Sequence, residues 1–137
     1  MNVFVYGTLL VPRIWELVTE CPDLESAEAK LSRHSIWRVR EATFPAIREE
    51  GPDYEGEVPG RVFFDVPAPA LQRLDLYEDA FYERVTVSVQ TANGPVDADA
   101  YRVPGENAKA VVSGDTWTLE WFEQNGLERF LENVFEP

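Results

Sequence analysis

An alternation of apolar and polar residues around an Asn-Gly pair constrains the fold of this chain most strongly. Between residues 85 and 90, valine alternates with threonine, serine and glutamine, which is the pattern of a strand with one buried face. Asn93-Gly94 then predicts a tight turn. The segment 96–103 returns in phase as the partner strand. With ten prolines and eight glycines in the chain, this hairpin favours a turn-rich sheet over a helical bundle.

Further strand and helix patterns predict the rest of the fold. Strand patterns lie at residues 3–6, 32–40, 44–47 and 60–66. Helical patterns lie at residues 11–20, where Pro12 suits the first turn, and at residues 67–78, while the acidic segment 49–57 reads as a loop. We therefore predict an α+β fold, in which a strongly curved mixed sheet of five to six strands closes into a small barrel with flanking helices.

The C-terminal part of the chain is predicted to be helical. Asp115 or Thr116 is expected to cap a helix that carries Trp117 and Trp121, and Asn125-Gly126 is expected to end it. Apolar residues at helical spacing then indicate a second helix. With a length of 137 residues, we expect a single domain over residues 1–137 with a C-terminal helical extension at 118–137.

Charge and the scarcity of cysteine and histidine argue against several classes of function. The chain has 25 acidic and 12 basic residues and a formal net charge of −13, so we expect neither nucleic acid nor an anionic membrane as a partner. Cys21 is the only cysteine and His34 the only histidine, which leaves little for a disulfide, a zinc site or a histidine-based triad. Without a signal-peptide pattern or a long apolar segment, we expect a cytoplasmic protein.

The first strand pattern ends abruptly at Gly7. VFVY at residues 3–6 runs directly into Gly7-Thr8, and a helical pattern begins at Val11. One interpretation is a binding turn whose backbone N–H groups face a ligand, with Gly7 allowing the backbone to come close. The other is that the glycine only ends the strand, as isolated glycines commonly do. The residues alone leave both interpretations open.

A second unusual stretch places a carboxylate in the apolar stripe of a predicted helix. Leu71 and Leu74 share the buried face, and Glu78, seven residues after Leu71, belongs to it as well. Asp75 lies at the edge of that face. Burial and a nearby like charge both raise the pKa of a carboxyl group, which suits proton transfer near neutral pH. If the helix instead ends near Tyr77, Glu78 turns into water, and periodicity does not decide between the two.

Six segments, in this order, carry a resemblance to a known family. They are VYGTL at 5–9, FPAI at 44–47, GRVFFDV at 60–66, LDLYEDAFYERVTVSV at 74–89, AYRV at 100–103 and SGDTW at 113–117. Together they resemble the γ-glutamylcyclotransferase-like family, which includes AIG2-like plant and bacterial proteins and γ-glutamylamine cyclotransferases. The resemblance covers most of the chain up to Trp117.

The resemblance implies a small mixed barrel with flanking helices and a pocket at one end. The YGxL turn is implied to line the pocket and to hold the γ-glutamyl part of a substrate with its backbone N–H groups. Glu78, the last position of LDxxE, is implied as the catalytic residue, and Glu83 is the competing acid. The substrate-binding residues carried over in this way are Tyr6, Gly7, Thr8 and Leu9. For Tyr6, core packing is an equally good explanation.

The implied reaction is an intramolecular aminolysis of a small molecule. The α-amine of a γ-glutamyl group attacks its own γ-carbonyl and yields 5-oxoproline and a free amine, without a metal or another cofactor. The alternative on the same fold is a non-catalytic small-molecule binding or interaction module. Glu78 separates the two, because a binding module has no need of a carboxylate in an apolar stripe. The leaving amine and the oligomeric state are not predicted.

Overall fold

The computed structural model describes residues 1–78, 82–104 and 111–135. Its strands are β1 (Val3–Val5), β2 (Ser26–Ser32), β3 (His34–Arg38), β4 (Pro45–Glu49), β5 (Glu57–Phe63), β6 (Glu83–Thr91) and β7 (Gly94–Arg102). Its helices within these residues are α1 (Pro12–Thr19), α2 (Ala68–Glu78), α3 (Leu119–Asn125) and α4 (Leu127–Phe135). A single 3₁₀ turn at Thr8–Leu10 joins β1 to α1.

Five of the described strands close into a barrel in the order β1-β5-β2-β6-β7. Neighbouring strands run antiparallel except β1 and β7, which run parallel, so the barrel is mixed. Strands β3 and β4 form a separate antiparallel pair, in which Ile36 lies opposite Ile47. The predicted α+β class, with a small closed barrel and flanking helices, is confirmed.

Strand β1 is buried on both of its faces. Phe4 belongs to the apolar cluster inside the barrel, together with Val62 and Val89 of neighbouring strands. Val3 and Val5 belong to a second cluster, which α1 and α2 cover from outside. A strand buried on both faces has no polar alternation, which explains the uninterrupted apolar run at the start of the chain.

The hairpin and the first two helices lie where the sequence predicts them. In the hairpin of β6 and β7, Val89 pairs with Val96 and Thr91 pairs with Gly94. Gly94 has φ of 108°, a conformation that favours glycine. Helix α1 begins at Pro12 and α2 ends at Glu78. None of the described helices combines the length and apolar character needed to cross a bilayer.

The largest differences from the sequence-based expectations concern β2 and α3, and β5 spans Glu57–Phe63 rather than residues 60–66. Strand β2 was not predicted, because its buried positions include Ala29, whose small side chain gives only a weak apolar signal. Helix α3 begins at Leu119 rather than near Trp117, because Thr118 is the capping residue and its hydroxyl oxygen accepts a hydrogen bond from the Trp121 N–H at 3.1 Å. Of the predicted extension 118–137, residues 136 and 137 lie outside the described residues.

The close approach of β1 to β5 generates a test of barrel closure. A Cβ atom at Gly60 would lie 2.2 Å from the carbonyl oxygen of Val5 and 2.7 Å from the ring of Phe4. We expect Gly60→Ala to lower the free energy of unfolding by about 3 kcal/mol, since backbone cannot yield as a flexible side chain does. Gly51→Ala is the matched control, because a Cβ there meets nothing within 4 Å. Equal stability of the two variants in urea unfolding would contradict this account of closure.

Candidate active site

A narrow pocket lies at the carboxyl ends of β1 and β7. Its cavity has a volume of about 30 Å³. Glu78 at the end of α2, Pro45 at the start of β4 and Tyr82 directly before β6 complete its wall. The lining residues are Phe4, Val5, Tyr6, Gly7, Thr8, Leu9, Pro45, Glu78, Tyr82 and Tyr101. All five residues that the resemblance implies as functional are therefore brought together in one place.

The 3₁₀ turn that follows β1 forms one wall of the pocket. Its internal hydrogen bonds run from the Leu10 N–H to the Gly7 carbonyl at 2.9 Å and from the Val11 N–H to the Thr8 carbonyl at 3.1 Å. The N–H groups of Thr8 and Leu9 lie before the first donor of the turn, Leu10, so they have no partner within the turn, as at the start of any helix. They are donors next to the cavity, and both residues are buried.

Gly7 is required by a packing contact that the sequence does not reveal. A Cβ atom at this position would lie 2.7 Å from Cγ and 2.9 Å from Cδ of Pro45. The φ of Gly7 is −123°, so a positive φ is not the reason for a glycine here. The expected reason for a glycine, close approach of the backbone to a ligand, is therefore not needed to explain it. Contact with Pro45 holds two walls of the pocket together.

Glu78 lies at the end of α2, with its side chain at the cavity. The residue is half-buried, and burial raises the pKa of its carboxyl group from 4.5 to about 8. Within the described residues, no hydrogen bond or ion pair joins this carboxyl group to another side chain. The alternative in which Glu78 turns away from the apolar face into water is wrong.

Asp75 does not act on Glu78 as we expected. Its carboxylate accepts a hydrogen bond from the Tyr101 hydroxyl at 2.6 Å and forms an ion pair with Arg84 at 3.4 Å. Arg84 also lies 3.5 Å from Asp99. The charge of Asp75 is thus matched by Tyr101 and Arg84. Burial alone, and not a like charge, accounts for the raised pKa of Glu78.

Four tyrosines lie near the carboxyl group of Glu78: Tyr101, whose hydroxyl donates to Asp75, and Tyr6, Tyr77 and Tyr82. The Tyr6 hydroxyl donates to the carbonyl oxygen of Tyr101, and the Tyr82 hydroxyl donates to that of Pro45 at 2.5 Å. The Tyr77 hydroxyl is hydrogen-bonded to the Thr8 hydroxyl at 2.7 Å. Burial raises the pKa of each of these phenols, and the nearby Glu78 carboxylate raises it further. The phenols therefore stay protonated at neutral pH.

Part of this wall is not predicted by the sequence. Pro45 and Tyr101 lie within the matched segments FPAI and AYRV, but no role was assigned to them. Tyr82 also lines the pocket and lies within the matched segment at 74–89. For Tyr6, the bond to the Tyr101 carbonyl supports a role in anchoring the wall. For Pro45, Tyr82 and Tyr101, the signal in the sequence is their place within a segment that matches the family.

The remaining candidate residues lie outside the pocket. Glu83 is exposed at the start of β6, opposite Arg102. His34 is buried elsewhere, with Nδ1 2.9 Å from the Ser32 carbonyl and Nε2 3.3 Å from the Arg102 guanidinium. No group of three or more His, Cys, Asp or Glu side chains suited to a metal ion occurs in residues 1–78, 82–104 and 111–135.

The raised pKa of Glu78 predicts how stability depends on pH. Because the pKa is higher in the folded than in the unfolded state, this group destabilises the fold increasingly as pH rises from about 4.5 to about 8. We expect Glu78→Gln to match wild type in urea unfolding at pH 4 and to exceed it by ~2–4 kcal/mol at pH 8.

Glu83→Gln is the control for this measurement, since it removes an exposed carboxylate from the neighbouring strand. Its difference from wild type should stay within about 0.5 kcal/mol at every pH. A Glu78→Gln variant that is less stable than wild type at pH 8 would mean that the carboxylate has a stabilising partner, contrary to the geometry.

Known proteins share both the sequence pattern and the fold. The sequence model of the family described as gamma-glutamyl cyclotransferase, AIG2-like, matches residues 3–119. AIG2-like protein C of Arabidopsis thaliana is 29% identical over 131 residues, which are 95% of this chain and 73% of that protein. Protein AIG2 A of the same plant is 24% identical over 131 residues, covering 96% of this chain and 75% of that protein.

Solved structures agree with this match. A solution structure of an Arabidopsis thaliana protein has a TM-score of 0.70 at 26% identity, covering 96% of this chain and 78% of that one. A structure named gamma-glutamyl cyclotransferase has a TM-score of 0.63 at 17% identity, covering 98% of this chain and 86% of that one, and shows a shared fold. The chain belongs to the AIG2-like gamma-glutamyl cyclotransferase family.

Proposed function

We propose that this protein is an enzyme that cyclises a γ-glutamyl amine or γ-glutamyl amino acid to 5-oxoproline and releases the free amine. One observation carries the proposal. The buried carboxyl group of Glu78, with a pKa of about 8, faces the same cavity as the turn at Tyr6–Leu9. A proton acceptor tuned near neutral pH therefore lies beside backbone donors, which is the combination that this reaction requires.

The proton of the substrate's α-ammonium group determines the order of events. The ammonium group is not a nucleophile until it loses a proton, and the ionised Glu78 accepts that proton. The amine nitrogen then bonds to the γ-carbonyl carbon, and Glu78 passes the proton to the departing nitrogen as the carbon–nitrogen bond breaks. Glu78 then takes the second proton from the ring nitrogen and gives it to the released amine, which leaves as an ammonium group. The enzyme ends in its starting state. The positive charge of the bound ammonium also favours the ionised form of Glu78, which offsets the effect of burial.

The turn and the shape of the pocket supply the rest of the rate enhancement. The N–H groups of Thr8 and Leu9 are suited to the oxyanion that develops on the γ-carbonyl, and loss of one such donor typically costs about 2.7–4 kcal/mol. A five-membered ring closure benefits from holding the chain folded, which is worth roughly 7–11 kcal/mol in well-aligned cases. In this proposal, Pro45, Tyr82 and Tyr101 hold the substrate in that shape.

A non-catalytic binding module on the same fold is the second candidate. The hydrogen bonds that already occupy the hydroxyls of Tyr6 and Tyr82 favour it, since they make part of the pocket wall structural. Such a module would bind γ-glutamyl compounds without releasing 5-oxoproline. The raised pKa of Glu78 favours the enzyme over the binding module. A buried carboxylate destabilises the fold, and binding alone does not require one.

The test of the enzyme is the release of 5-oxoproline from a panel of γ-glutamyl amines and γ-glutamyl amino acids, measured by chromatography. We expect turnover with at least one compound and a fall in kcat of about 10²–10⁴-fold in Glu78→Gln, which keeps the volume but cannot accept a proton. Glu83→Gln should retain kcat within about twofold of wild type, because its side chain lies outside the pocket.

Three results would change the proposal. Binding without turnover by well-folded wild-type protein would favour the binding module. Loss of turnover in Glu83→Gln but not in Glu78→Gln would assign the proton transfer to the other acid. Loss of turnover in both variants, with folding intact, would show that the negative charge of this region matters rather than the placement of one carboxylate.

A further inference from the structure

A row of aromatic rings connects the C-terminal helices to the helix that carries Glu78. Tyr77 of α2 contacts Phe130 of α4 edge to face, with ring centroids 6.1 Å apart. Phe130 contacts Phe122 of α3 at 5.9 Å, and Phe122 contacts Trp117 at 6.1 Å. Edge-to-face contacts fix the relative orientation of rings as well as their separation. The row therefore links α2, α3 and α4 as one packed unit.

One end of the row reaches the pocket through Tyr77. This residue directly precedes Glu78, and its hydroxyl is hydrogen-bonded to the Thr8 hydroxyl at 2.7 Å. The bond crosses from the last turn of α2 to the 3₁₀ turn that lines the pocket. Since the carboxyl group of Glu78 makes no hydrogen bond or ion pair of its own within the described residues, its position depends on how the end of α2 is held.

The other end of the row reaches the opposite wall of the pocket. The Trp117 indole N–H donates to the Thr43 carbonyl at 2.8 Å. The junction of α3 and α4 packs on the same residue, since a Cβ at Gly126 would lie 2.6 Å from Cβ of Thr43. Thr43 stands two residues before Pro45, which lines the pocket and accepts the Tyr82 hydroxyl. The C-terminal segment thus contacts Tyr77 and Thr43, which lie next in sequence or nearly so to the pocket residues Glu78 and Pro45.

We infer that α3 and α4 brace the active site and that Tyr77 and Phe130 are positioning residues, which hold the Glu78 carboxyl group against the turn at Tyr6–Leu9. The inference rests on the proposed function. It extends the active site into a part of the chain beyond residue 119, where the match to the family ends. Phe130 does not line the pocket, so it acts through Tyr77 and not on a substrate.

The test compares substitutions at the two ends of the Tyr77–Phe130 contact. Tyr77→Phe removes the hydroxyl and keeps the ring, and Phe130→Leu removes the edge contact and keeps an apolar side chain. Phe63→Leu is the matched control, because Phe63 belongs to the same apolar cluster but stacks on Trp15 at 3.7 Å, on the side of α1. For each variant, kcat, KM, Tm and the titration of the Glu78 side-chain carboxyl carbon by NMR are measured.

We expect kcat to fall about 10- to 100-fold in Tyr77→Phe and Phe130→Leu with KM changed far less, as for a misplaced catalytic group. In both variants, the titration midpoint of Glu78 should move from about 8 towards 4.5 as water reaches the carboxyl group. Phe63→Leu should lower Tm as Phe130→Leu does, with kcat and the Glu78 midpoint unchanged.

Two results would overturn the inference. One is an unchanged Glu78 midpoint in both Tyr77→Phe and Phe130→Leu. The other is an equal effect of Phe63→Leu and Phe130→Leu on kcat and on the titration midpoint of Glu78. That result would mean that Phe130 contributes only general packing. If wild-type protein releases no 5-oxoproline from any compound, the proposed function fails, and the NMR titration alone then decides whether the brace holds Glu78.

Discussion

A three-residue strand, β1, closes the barrel by pairing antiparallel with β5 and parallel with β7. Every residue of this strand is buried, and a Cβ at Gly60 would collide with its backbone. Because β1 is held from both sides, the turn that follows it begins at a fixed place. The pocket therefore depends on barrel closure, since the turn that carries Thr8 and Leu9 follows directly on the strand that closes the barrel.

Within this frame, the carboxyl group of Glu78 is buried, and burial raises its pKa. Glu78 ends a helix whose other acid, Asp75, is matched by Tyr101 and Arg84. The Glu78 carboxyl group lacks such a partner within the described residues and lies among protonated phenols. Its raised pKa makes the fold less stable at neutral pH. Unfavourable placement of this kind is common where a group transfers protons.

Patterns within single elements predict much of this structure from the sequence, whereas contacts between separate elements are not predicted. The alternation before Asn93-Gly94 predicted the hairpin, and the apolar stripe of α2 placed Glu78 on the buried face. Both patterns act within one element, where periodicity is informative. The pairing of Asp75 with Arg84 joins separate elements, and so does the contact of Gly7 with Pro45. Such contacts leave no local signal, so the sequence predicted Glu78 and the turn at Tyr6–Leu9 as pocket residues but not the contacts that hold them.

A crystal structure with bound 5-oxoproline tests the central claim most directly, because it shows where the proposed product lies. The account predicts that the ring nitrogen lies within about 2.6–3.2 Å of a Glu78 carboxyl oxygen, with the ring carbonyl oxygen facing the N–H groups of Thr8 and Leu9. Product bound beside Glu83 or near His34 would contradict it, as would product in the pocket with its ring nitrogen turned away from Glu78.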